Sequence, residues 1–410
     1  MMFILIKSLE VVEINNEYRH LRLQIDSLAV FAAVKHDSVI KAICRLLDAL
    51  ADDEPAETTV NLYSQVVEGL YPVSANLGKY ISKLVIEDEN FYIKDVASGQ
   101  EVDAHIERAV RNELSVLQNV ALLNSEEIVK AIGFNDFLPQ WISGNVDIVD
   151  DFHENIRNIK KKGYGIFAKF NFFRVENGKI KPVAHPDYQT LDQLFGYERE
   201  RDLIMRNTQA ILNGNGSNML LYGDAGTGKS STIKAVAAHY APEGLRMVEV
   251  KKTQLYQIPS IMEELSANPL KFILFIDDLS FTGNDDNFSA LKATLEGSIS
   301  GTGDNVTIYA TTNRRHLVKE TFKDRAGDEL HLSDTIQETM SLAARFGLTI
   351  TFQKPDKDEY LNIVRSLAVE YGIDMDDKEL FQKAEAHAIR KNGRSPRTAK
   401  QFIELLKIGI

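Results

Sequence analysis

The sequence predicts an α/β fold: a parallel five-stranded sheet with flanking helices, a mostly helical N-terminal domain and a C-terminal helical lid. Three observations carry this. From about residue 190 short apolar strands alternate with helical stretches, the pattern of a parallel sheet covered by helices. One strand runs into the glycine-rich stretch Gly223-Asp224-Ala225-Gly226-Thr227-Gly228-Lys229-Ser230, with helical Thr232–Ala238 behind it. Before this region the apolar spacing is mostly helical, and after Pro355 it is helical only.

Residues 1–185 read as one mostly helical domain. Its clearest helix runs from about Asp103 to Leu123, where Ile106, Val110, Leu114, Leu117 and Ala121 form one stripe. Glu107, Arg108, Arg111 and Glu113 lie off it. Gly163–Val175 is rich in Phe and Ile, and Asn177-Gly178 favours a type I′ turn because both residues tolerate positive φ. With Lys179–Val183 as the return strand, this predicts a β-hairpin near 165–183. Pro182 and Pro186 mark a boundary, and 186–353 reads as the sheet domain. Its strands are expected at Asn218–Tyr222, Arg246–Val250, Phe272–Ile276, Thr307–Ala310 and Thr349–Phe352. After Pro355 two stripes, Leu361/Val364/Leu367/Ala368/Tyr371 and Ala399/Phe402/Ile403/Leu406, predict a helical domain over 354–410.

Composition narrows the function classes. With 44% hydrophobic and 26% charged residues the chain is an ordinary globular protein, not a disordered one. No apolar run approaches the ~20 residues of a membrane helix, and Met1–Ile6 is too short for a signal-peptide core, so a cytoplasmic location is expected. Cys44 is the only cysteine, which excludes an intrachain disulfide and a Cys-based zinc cluster. The net charge of −12 disfavours a nucleic-acid coat. Lys160–Lys162 with Lys169, Arg174, Lys179 and Lys181 reads as a solvated face.

Residues 223–230 fit G-x-x-x-x-G-K-[ST] without mismatch, in the strand–loop–helix setting that the motif requires. The glycines let backbone N–H groups wrap phosphates, and the helix N-terminus adds partial positive charge. Lys229 is expected at the β- and γ-phosphates and the Ser230 hydroxyl on Mg²⁺; Ser231 completes the contact run. Phe272–Ile276 is an apolar strand that ends in Asp277-Asp278. Asp277 is expected in the Mg²⁺ shell and Asp278 as the general base that polarises an attacking water. ATP and Mg²⁺ are therefore the expected ligands.

These motifs together resemble an AAA+ ATPase. Thr311-Thr312-Asn313 after the next strand is similar to sensor 1, which implies that Asn313 orients the lytic water with Asp278. Ala344-Arg345-Phe346-Gly347-Leu348 resembles the box that carries the arginine finger in clamp loaders and bacterial replication initiators. It makes Arg345 the candidate finger, with Arg325 as its rival. Gly393-Arg394-Ser395-Pro396-Arg397 resembles sensor 2, with Arg397 aimed at the γ-phosphate and Arg394 as the rival; Ser395 suits an N-cap and Pro396 a first helical position. Leu194-Phe195-Gly196-Tyr197-Glu198 is similar to the adenine-contacting segment, so Gly196 and Tyr197 join the candidate site. Tyr222–Ser231, Phe272–Phe281 and Tyr309–Leu317 resemble more closely a bacterial AAA+ family of unknown function, over roughly 185–410.

Two features depart from the AAA+ pattern. Asp277-Asp278 stands where most members have Asp-Glu, and the shorter carboxylate leaves room for slow hydrolysis. Replication initiators and helicase loaders share Asp-Asp. The segment Lys251–Pro259 lacks the glycine of a protein-threading loop, and Tyr256 reads as helix-packing core rather than a substrate paddle. Arg314, Arg315 and His316 are expected to face a neighbouring subunit, a ligand or solvent. The resemblance implies an ATPase acting as a homo-oligomer, ring or filament, on an unidentified client. The alternatives are a nucleotide-gated adaptor with little turnover and a helicase-loader-like DNA-associated ATPase, DNA being possible but not favoured.

Overall fold

The stripe Ile106, Val110, Leu114, Leu117 and Ala121 lies on helix Ala104–Ala121 and faces a helical core in the computed structural model, which describes residues 15–134, 136–279, 291–295, 305–313, 344–391 and 393–409. The chain divides into two units, Met1–Lys169 and Phe170–Ile410. In the first, helices Ser38–Ala51, Leu77–Ile86, Phe91–Ser98, Ala104–Ala121, Ser125–Ile132 and Ile148–Arg157 each begin behind an Asp or Asn whose side chain accepts an early backbone N–H. Such caps satisfy donors that a helix leaves open at its N-terminus. Tyr63 stacks on Trp141 at 5.0 Å inside this core.

Glu113 lies off the apolar stripe and is nevertheless buried. It is only 8% exposed, and its carboxylate accepts the N–H groups of Ala29, Val30 and Phe31 at 2.9–3.1 Å. The charge is buried because three backbone donors replace water around it. Glu113→Ala strands those donors. It is expected to cost about 2–4 kcal/mol. The urea midpoint of the helical unit should fall with its slope unchanged; an unshifted midpoint rejects this role.

In the second unit a seven-stranded sheet runs in the order β2-β1-β4-β5-β6-β3-β7. The strands are β1 Phe172–Glu176, β2 Lys179–Pro182, β3 Met219–Gly223, β4 Leu245–Glu249, β5 Lys271–Ile276, β6 Val306–Thr312 and β7 Leu348–Phe352. The five expected parallel strands are all present. Two more enlarge the sheet, because β1 pairs in parallel with β4 (Phe172↔Met247, Phe173↔Val248) and β2 pairs antiparallel with β1. The hairpin expected inside the 1–185 domain thus belongs to the sheet unit, and its turn has positive φ at both Asn177 and Gly178. Its strand starts late, since Ile166–Lys169 is a helical turn. Phe272–Ile276 of β5 is fully buried, as a strand covered on both faces must be.

The strand order places β6 between β3 and β5. The C-terminal ends of β3, β5 and β6 therefore lie side by side and carry the P-loop, Asp277 and Asn313 respectively. The lid comprises helices Lys357–Glu370, Asp377–Arg390 and Pro396–Lys407 around Tyr360, Val364, Leu380, Ala384, Phe402 and Ile403. Ser395 is the N-cap expected, accepting from Thr398 N–H, with Pro396 behind it. Tyr256 is not core: it is 65% exposed, on the 3₁₀ turn Lys252–Gln257. Its hydroxyl accepts from the side-chain amide of the adjacent Gln257 at 2.8 Å. Among the described residues no helix is long and apolar enough to cross a membrane.

Candidate functional site

The site starts from the end of β3. Gly223 has φ +147°, and a Cβ there would lie 1.9 Å from the carbonyl oxygen of Phe352, because β7 pairs alongside. Gly226, at φ +82°, lets the lid approach: its carbonyl accepts the Arg397 N–H at 3.2 Å. Thr227 closes the loop by donating to Asp224 O at 2.9 Å. Helix Lys229–Tyr240 follows with no side-chain cap, so the loop delivers uncapped N–H groups.

Lys229 is 5% exposed and its ammonium donates to Gly223 O (2.9 Å), Asp224 O (2.8 Å) and Asn313 Oδ1 (2.9 Å). Burial pulls its pKa below the usual lysine value; the carboxylates of Asp224, Asp277 and Asp278 oppose this, and Arg397 adds to it. Asn313 Nδ2 donates to Asp278 Oδ1 at 2.9 Å, so one amide links Lys229 to Asp278. The lysine can only donate and the carboxylate accepts, which sets the amide orientation.

Asp277 Oδ1 accepts from Ser230 Oγ at 2.6 Å, Thr311 Oγ1 at 2.6 Å and Asp278 N–H at 3.1 Å. Asp278 sits at φ +50°, a left-handed conformation that costs a non-glycine residue roughly 1–3 kcal/mol. Its N–H also donates to Thr311 Oγ1 at 3.0 Å, which offsets part of that cost. Both carboxylate side chains face outward into a cavity of about 240 Å³. Ala225, Gly226, Gly228, Lys229, Ser230, Ser231, Asp277, Asp278, Asn313 and Arg397 all line it. So does Thr311, which the sequence reading left out of the site; its signal is the period-2 spacing to Asn313, which puts both on one face of β6.

A second cavity of about 340 Å³ shares Gly226, Gly228, Ser230, Ser231 and Arg397 and extends over Thr227, Gly196 and Tyr197. Tyr197 lies at φ +58°, stacks on Phe352 at 5.0 Å and donates its hydroxyl to Gln353 O at 2.6 Å. Burial raises its pKa. Arg201, which sequence reasoning missed, donates to Leu194 O and Gly196 O and so shapes this loop. Nothing short of the folded loop reveals that role, since the contacts are to backbone.

The arginines separate. Arg394 makes a bidentate pair with Glu385 at 2.8 and 2.7 Å, inside the lid. Arg397 lines both cavities. Arg345 lines neither; it precedes β7, whose first residue Leu348 pairs with Met219 while Phe352 pairs with Gly223. Four residue steps put Leu348 roughly 13 Å from the P-loop edge. Arg314, Arg315, His316 and Arg325 lie outside the described residues.

Among the described residues no group of three His, Cys, Asp or Glu side chains forms a metal cluster. The donor set at hand, one hydroxyl (Ser230) and one carboxylate (Asp277) 2.6 Å apart, suits Mg²⁺, which takes few protein ligands and completes its shell with phosphate and water.

The sheet of mostly parallel strands, the helical N-terminal unit and the C-terminal helices, with a glycine-rich loop between a central strand and its helix, make this an α/β fold. The chain belongs to the family described as "Protein of unknown function (DUF815)", whose model matches residues 167–409. That match begins ahead of β1 and so includes the hairpin. Among solved structures the chain is similar to the Thermotoga maritima RuvB Holliday junction branch migration motor, at 18% identity and TM-score 0.37, covering 53% of this chain and 64% of that one. It is similar to two substituted forms of the same motor, at 18% and 19% identity with the same TM-score and coverage. The matched part thus spans less than two thirds of those chains. No curated protein matches.

Proposed function

We propose that this chain binds Mg-ATP at Gly223–Ser231 and hydrolyses it to ADP and phosphate, as one subunit of a homo-oligomer whose conformation, or that of a partner, the turnover drives. The observation that carries this is the linked pair of hydrogen-bond sets below the P-loop, Ser230–Asp277–Thr311 and Lys229–Asn313–Asp278. It gathers a phosphate cation, a metal-ligand pair and a carboxylate base within one cavity. Bound Mg²⁺ supplies charge neutralisation at the phosphates; Ser230 and Asp277 are the residues to hold it. Asp278 accepts the proton of the attacking water, and Asn313 holds that carboxylate in place. Lys229 must exchange at least one of its three present acceptors for phosphate oxygen. Arg397 comes from the lid, and Gly196 and Tyr197 border the larger cavity, which is sized for the nucleoside.

The experiment is calorimetry of Mg-ATP against the wild-type chain and Lys229→Ala. Loss of one charge-assisted bond of about 1.5–3 kcal/mol predicts roughly 10- to 100-fold weaker binding. Equal affinities would reject the site.

One observation favours a second reading, a nucleotide-gated adaptor with little turnover: the base is the shorter Asp278, already engaged by the Asn313 amide. A DNA-associated role has less support. Besides the net charge of −12, Lys162, Lys169 and Arg174 from the basic stretch pair with Glu154, Glu87 and Glu176. A rate raised by single-stranded DNA would restore it.

A further inference from the structure

We infer that Thr311 is the positioning residue for both carboxylates at the end of β5, holding Asp277 toward the metal side and Asp278 toward the water side; the inference rests on the Mg-ATP reading above. Thr311 is 2% exposed, on the strand next to β5. It contacts three consecutive residues. Its Oγ1 donates to Asp277 Oδ1 at 2.6 Å and accepts the Asp278 N–H at 3.0 Å, and its carbonyl accepts the Leu279 N–H at 2.7 Å.

The hydroxyl is the part that matters, because it both donates and accepts. As a donor it joins Ser230 and the Asp278 N–H on a single oxygen, Asp277 Oδ1. Three donors on one oxygen fix the carboxylate rotamer and leave Oδ2, which has no hydrogen bond among the described residues, as the oxygen presented to a cation. As an acceptor the hydroxyl ties down the peptide of Asp278, the residue held at φ +50°. Asp278 Oδ1 then meets Asn313, which lies two residues along β6 from Thr311 and on the same face. One side chain therefore sets the orientation of the metal ligand and the backbone under the base. Valine has the same shape and can do neither.

The test compares wild type, Thr311→Val and Thr311→Ser as full chains, with thermal melting to check folding. The readouts are the Mg²⁺ concentration giving half-maximal ATP binding in calorimetry, and kcat and KM for ATP at saturating Mg²⁺. Outer partners of metal ligands typically contribute 10–100-fold, so Thr311→Val is expected to raise the Mg²⁺ midpoint about 10-fold and lower kcat about 10- to 100-fold, with KM changed by less than about 3-fold. Thr311→Ser keeps the hydroxyl and is expected to recover both. Wild-type Mg²⁺ dependence and kcat in Thr311→Val would overturn the inference. So would a Thr311→Ser variant as impaired as Thr311→Val, since the defect would then lie in packing of the methyl group. A wild-type chain that binds no Mg-ATP overturns the Mg-ATP reading and the inference together, whereas intact binding with an unaffected valine variant overturns the inference alone.

Discussion

Arg345→Ala is expected to bind Mg-ATP as the wild type does and to lose about 10³–10⁵ in kcat, the scale of an arginine supplied in trans in phosphoryl transfer. The reasoning is geometric. Phosphoryl transfer leaves charge on the γ-phosphoryl oxygens that Lys229 alone does not cover. Arg345 stands before β7, at the end of that strand opposite the one paired with Gly223, and lines neither cavity of its own chain. The proposed reading therefore gives it to a neighbour's site. Such a contact joins two different surfaces, so it generates a closed ring or an open helical filament. Mixing Arg345→Ala with Lys229→Ala should restore some activity, because an intact P-loop can then meet an intact arginine at mixed interfaces. Specific activity should rise with protein concentration. A chain that stays monomeric in light scattering with Mg-ATP, fully active on dilution, would refute the shared site.

Asp278→Asn is expected to leave Mg-ATP binding unchanged and to slow hydrolysis by about 10²–10⁴-fold, the range of a general-base contribution. The substitution keeps the side-chain length and an Oδ1 that can accept from Asn313, but removes the basic carboxylate. Single-turnover measurement separates this from a release defect. Wild-type turnover in the variant would dismiss Asp278 as the base. A parent chain as slow as the variant would favour the adaptor reading.

How much of this was legible depended on how local the determining forces are. The glycine-rich loop was readable because its form is a property of eight consecutive residues: glycines that tolerate the backbone at Gly223 and Gly226, then a lysine and a serine at a helix start. The lid's N-cap was readable for the same reason, since Ser395 reaches only three residues on. Strand β5 announced itself by an unbroken apolar run, which burial on both faces demands.

Other features escaped because they are set by partners far along the chain. Residues 172–182 declared a hairpin, but nothing in their own composition says that β1 lies beside β4 rather than within the helical unit. Glu113 was legible only as a charge off the apolar stripe; that it is buried follows from the three donors of the Ala29–Phe31 backbone. Tyr256 looked apolar enough for core, and the fold left it uncovered. The sequence favoured Arg397 over its rival Arg394 without separating them; the lid gave Glu385 to Arg394 and the P-loop cavities to Arg397.

The sequence by itself determined the α/β class and the location of the candidate nucleotide loop, because periodicity, glycine stereochemistry and capping act within a few residues. Only the tertiary structure decided that β6 lies between β3 and β5, so that Thr311 and Asn313 stand against Asp277, Asp278 and Lys229. The physical reason is that strand order and register are paid for by packing and hydrogen bonds between segments distant in sequence, and no single segment carries that information.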